Sequence, residues 1–83
     1  MQIGQAVRMY GRHGRIVDIL TSRTGGDDYA KVRFVVHAQG VFEFHLLADL
    51  TPATDEDIRR EVEARISRLE TAHRELLEQV RNV

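Results

Sequence analysis

Polar and apolar residues alternate along the first fifty positions. Ile3, Val7 and Met9 fall on one parity, and Arg8 and Tyr10 on the other. After Gly14, Ile16 stands against Arg15 and Val17, and Asp18 separates Val17 from Ile19. Lys31 and Arg33 alternate with Val32 and Phe34, and Glu43 and His45 alternate with Phe42, Phe44 and Leu46. Period-two alternation over four to eight residues predicts half-buried strands. Thr24 to Asp28, TGGDD, predicts a turn, because Gly supplies positive φ and Asp bonds its own backbone. A three-residue loop at Ala38-Gln39-Gly40 pairs Val36 with Phe42, Phe34 with Phe44 and Val32 with Leu46. That register puts the large apolar side chains on one face and Arg33, Glu43 and His45 on the other.

The period changes after residue 50. Leu47 to Leu50 predicts a short turn, and Thr54 an N-cap followed by Asp55, Glu56 and Asp57 in the positive first turn of a helix. Thr51, with Pro52 at the first helical position, is an alternative cap. No Gly or Pro follows. Glu56–Arg60, Glu61–Arg65 and Glu70–Arg74 are i,i+4 pairs in the favoured order. Val62, Ile66, Leu69, His73, Leu76, Val80 and Val83 recur in steps of four and three, the d-a-d-a-d-a-d seam of a coiled coil. A helix of about 27 residues is about 40 Å long. A 50-residue domain is only about 20–25 Å across. The helix therefore overhangs, and the economical cover for its stripe is the same helix from a second copy.

Two segments follow: residues 1–50, a small antiparallel barrel, and residues 51–83, a long amphipathic helix. The class is α+β. Four or five short strands with one apolar face suit a closed or nearly closed barrel, which removes unpaired edges. The chain of 83 residues is one domain at most. A core this small gains from self-association.

Composition narrows the function. There is no cysteine, so disulfides and thiolate metal sites are excluded, and a reducing compartment fits. No apolar run is long enough to span a membrane, and the N-terminus has no signal-peptide pattern. Cytoplasm is the expectation. Net charge is −1 with 30% charged residues, unlike the strongly basic balance of a dedicated nucleic-acid binder. Residues 1–50 carry six Lys/Arg against five acids, and residues 51–83 carry six Arg against eight acids.

The run GQAVRMYGRHGRIVDI, then DYAKVRF and VFEFHLLADL, resembles the SH3-like small-barrel group. It looks most like KOW and Tudor modules and the CarD-type domain. The shared features are Gly4 and Val7 at the entry, Gly11 and Gly14 at a corner before Ile16 and Ile19, and Tyr29 with Phe34 on one strand. The resemblance covers residues 3–50. It implies an SH3-like barrel and a binding role, toward nucleic acid in some members and toward a protein surface in the CarD type.

Candidate chemistry is sparse. Arg8, Arg12, His13, Arg15 and Arg33 form a candidate basic corner, with Tyr10 as a stacking platform. The competing reading is a turn whose arginines pair with Asp18, Glu43 or the acidic helix. His13, His37, His45 and His73 titrate near neutral pH. His37 flanks the loop and His45 faces outward, so they read as too far apart for a metal. His73, at an a position, is expected to loosen a dimer on protonation below about pH 6. No phosphate loop, catalytic triad, cofactor motif or cysteine nucleophile is present. The expectation is no enzyme, no cofactor and no metal.

The function expected is a non-catalytic adaptor of the bacterial or phage cytoplasm. It is homodimeric through Val62, Ile66, Leu69, His73, Leu76 and Val80. It presents Arg33, Glu43, His45 and the corner Arg8, Tyr10, Arg12, His13 and Arg15 to a protein partner. The second reading is a weak nucleic-acid-binding accessory protein using the same corner. A third has the helix recognising a partner helix.

Overall fold

The computed structural model describes residues 1–81. Five strands come first: β1 Ala6–Met9, β2 Arg12–Leu20, β3 Tyr29–Phe34, β4 Glu43–Leu46 and β5 Thr51–Pro52. A 3-10 turn, Leu47–Asp49, sits between β4 and β5, and one helix, α1 Asp55–Arg81, ends the chain. All pairings are antiparallel and the order is β4-β3-β2-β1-β5. The fold is α+β. The sheet is open, with β4 and β5 as its two edges. The expected closure into a barrel is not seen. With β5 only two residues long, there is little strand there to complete a closed ladder.

The β1–β2 hairpin turns on Tyr10 and Gly11, with φ of +52° and +75°. Two positive-φ residues match the right-handed twist of the flanking strands. Gly11 takes this without strain; Tyr10 does not. β2 belongs to both halves of the sheet. Its start pairs with β1 and its later part with β3, and the ladder slips between Ile16 and Asp18. The slip leaves Val17 as the extra residue of a bulge. Ile16 and Ile19, three apart, therefore both reach the core. Where β2 crosses β3, a Cβ on Gly14 would lie 2.4 Å from the carbonyl oxygen of Arg33. Only glycine permits that approach.

The core is Val7, Ile16, Ala30, Val32, Phe34 and Leu50, flanked by Met9, Ile19, Val36 and Leu47. Burying each Val, Ile, Leu or Phe contributes about 1.5–3 kcal/mol. Leu47 and Leu50 come from the turn after β4, which folds them under the sheet. Ile3, on the parity of Val7 and Met9, is 61% exposed, because it precedes β1 and has no strand to hold its parity.

The β3–β4 hairpin differs from the register read from sequence. Tyr29 pairs with Leu46, Ala30 with His45, Lys31 with Phe44 and Val32 with Glu43. The pairing is slid by three residues, and an odd slip exchanges the faces. Glu43 and His45 lie on the core face, while Phe44 and Leu46 lie on the outer face with Tyr29 and Lys31. The physical reason is twofold. The small core is already filled by Phe34, Ile16 and the two leucines of the turn. Glu43 on the inner face also gains an arginine and two histidines.

Thr51 and Pro52 form β5 beside Val7 and Arg8, so they do not start the helix. Proline is tolerated there because the strand is an edge. Ala53 N–H donates to the Ala6 carbonyl at 3.0 Å. The cap is Thr54. Its hydroxyl accepts from Asp57 N–H at 3.1 Å, and the Asp57 carboxylate accepts from Thr54 N–H at 3.0 Å. This reciprocal pair is a capping box. Of the three i,i+4 pairs read from sequence, Glu56–Arg60 forms, at 3.6 Å, while Glu61 turns to the sheet instead.

Candidate functional site

Glu43 is the centre of a polar cluster at one end of the core. β4 aims its carboxylate across the sheet at Arg12, near the start of β2. The guanidinium donates two bonds, at 2.6 and 3.2 Å. His45 Nε2 meets the other side of the carboxylate at 2.8 Å, and His37 Nε2 bonds it from the β3–β4 loop. The Arg12 guanidinium also stacks 4.2 Å from the centre of the Phe34 ring, and His37 and His45 stand edge-on to that ring. Arg12, then the two histidines, hold the Glu43 carboxyl far below the usual carboxylate range. The Glu43 bond raises Arg12 in turn. The cluster joins β2, the loop and β4 over the core.

The basic corner is largely engaged. Arg12 is bound to Glu43. Arg15 reaches Asp55 at 2.8 Å and the Gly4 carbonyl at 3.1 Å. Glu61 accepts from the His13 backbone N–H at 3.0 Å and meets His13 Nδ1 at 3.2 Å. These bonds dock the first turns of α1 on β2. The other oxygen, Glu61 Oε2, is buried without a partner. Arg8 and Arg33 are exposed. Tyr10 protrudes from the hairpin tip at 88% exposure.

Arg33, Glu43 and His45 do not share a face. Arg33 lies outward, opposite Arg15, and Glu43 and His45 lie inward for the register reason given above. His37 and His45, read as far apart, meet on one carboxylate. Arg12 already occupies that carboxylate, and among the described residues no group of three potential ligands is arranged to hold a metal.

The reading from sequence missed the outer face of β2–β3–β4. Leu20, Tyr29 and Phe44 are exposed there, beside the partly exposed Leu46 and Phe42. Lys31 lies 4.4 Å from the centre of the Phe42 ring. The strand edge of β4 borders this apolar strip. The signal was present in the alternation of β4, but the assumed register turned it inward.

The helix stripe is bare. Glu61 is the last residue of α1 that is not exposed, and every described residue after it faces solvent. Leu69 is 51% and Leu76 58% exposed. Val83, the last residue of the seam read from sequence, lies outside the described residues. No helix among the described residues is long and apolar enough to cross a membrane. No family model, curated protein or solved structure matches the chain.

Proposed function

We propose that this chain is a non-catalytic, self-associating adaptor of the cytoplasm. Its helix joins two copies, and its sheet domain presents the outer strip of β3 and β4 to a protein partner. The observation that carries the reading is the bare stripe of α1. Ile66, Leu69, Leu76, Leu77 and Val80 are about half exposed or more along one side of a helix that its own sheet does not reach. Sustained apolar exposure of that kind marks an association surface. The strip around Tyr29 and Phe44, beside the free edge of β4, supports the second half. It suits an extended protein segment that adds to the edge and lays apolar side chains over the two rings.

The reading toward nucleic acid has less support. Arg12 and Arg15, two of its principal phosphate contacts, are paired with carboxylates. Arg8, Arg33 and Tyr10 remain for it. Fluorescence anisotropy with labelled single-stranded DNA, duplex DNA and RNA at about 50 and 200 mM salt separates the two. The adaptor reading expects no binding at either salt. Binding at low salt that collapses at high salt replaces it with the nucleic-acid reading. Light scattering of Leu69→Asp with Leu76→Asp tests the helix, and the variant is expected to run at half the mass of the unaltered chain.

A further inference from the structure

We infer that the second copy lies parallel to the first, so that both sheet domains sit at the same end of a two-stranded coil. This rests on the self-association proposed above and adds its direction. Three observations carry it.

The first is where the sheet docks. The domain lies against the side of α1 that carries Ile58, Glu61, Val62, Ala64, Arg65 and Arg68. At 100° per residue the centre of that side is roughly a quarter turn from the seam of Ile66, Leu69, His73, Leu76 and Val80. The domain borders the seam at Val62, its first position, and leaves it bare from Ile66 onward. A second helix laid in parallel meets the seam from Ile66 onward, beyond the reach of the first copy's sheet.

The second is the composition of the seam. Its a positions are Ile66, His73 and Val80, and its d positions are Val62, Leu69 and Leu76. β-branched residues at a with leucine at d favour two parallel strands, and one polar a residue sets the register. In the parallel pair the two His73 side chains share one layer and fix it.

The third is charge. Arg65 at g and Glu70 at e make no ion pair within the chain among the described residues. In a parallel pair each Arg65 faces the other copy's Glu70, twice over. In an antiparallel pair centred on the same seam the two Glu70 residues face each other, and Arg65 faces Gln79. Opposite charges stabilise the first arrangement and like charges disfavour the second.

The parallel arrangement doubles the presented surface. Two copies of the Tyr29–Phe44 strip then lie at the same end of the coil. A partner with two matching segments binds both at once and gains avidity without a new contact.

The chain lacks cysteine, so one introduced thiol is a clean probe. Arg60→Cys in the full chain, on an exposed position, carries a spin label for dipolar distance measurement. In the parallel pair the labels sit at the same height, within about 20 Å across the two helices. In an antiparallel pair centred on the seam they are about 33 Å apart along the axis alone. A short distance is the expected result. A long one overturns the direction and leaves self-association standing. No dipolar coupling between copies, with light scattering at one chain mass, overturns both.

Discussion

Three donors converge on Glu43, and its charge ties β4 to β2. Glu43→Gln keeps the shape and removes the charge. Hydrogen bonds to charged groups contribute about 1.5–3 kcal/mol, and the variant is expected to lose stability on that order at neutral pH in urea unfolding. The folded carboxyl titrates below its ordinary value. Its contribution is therefore complete above the unfolded value and is lost as the pH falls below it toward the folded one. The gap between the two proteins should narrow from pH 5 downward, and a gap as wide near pH 2 as at neutrality contradicts the account. Gly14→Ala forces a methyl against the Arg33 carbonyl. Crowding of this kind costs about 1–3 kcal/mol or more, read as a lowered melting temperature. Tyr10→Gly works the other way. It relieves a left-handed backbone that costs an L side chain about 1–2 kcal/mol, and the melting temperature should rise. A fall would mean that Tyr10 makes contacts its 88% exposure does not reveal.

At the scale of elements, the helix was the most legible part of the chain. Thr54 with three acids behind it marks a start, and no breaker follows. β1, β2 and β3 were legible through Val7, Ile16, Val32 and Phe34, whose parity survives in the core. β4 was not. Its alternation is the same whichever face it presents, so the choice rested on gathering Phe42, Phe44 and Leu46 together. That rule ignored how little room Phe34 leaves, and how much an inward Glu43 gains from an arginine two strands away. The partner of a carboxylate thirty-one residues distant is not visible in a local pattern. β5 was hidden because Pro52 reads as a helix start when its neighbour Val7 is unknown. The candidate site changed accordingly. Arg12, Arg15 and His13 serve to dock β4 and α1, while Tyr29 and Phe44 hold the outer face. The helix carries its own prediction. Beyond residue 68 it has no tertiary cover in one chain among the described residues, and short uncovered helices are marginal in water. Leu69→Asp with Leu76→Asp should lower the helical circular dichroism as well as the mass. Full helicity retained in a variant of single-chain mass contradicts the claim that the second copy supports this segment.

The whole molecule measures 64 × 22 × 18 Å. A sheet domain about 20 Å across therefore carries a rod that extends well past it. One chain of this shape leaves its longest apolar stripe in water, and association with a second copy removes it. The claim at this scale is that the dimer is the unit that functions, with two outer strips offered to a partner. Sedimentation equilibrium of the full chain across the micromolar range tests it most directly. The account predicts a species of twice the 9.5 kDa chain mass, dissociating only on dilution. A single-chain mass at every concentration would contradict it.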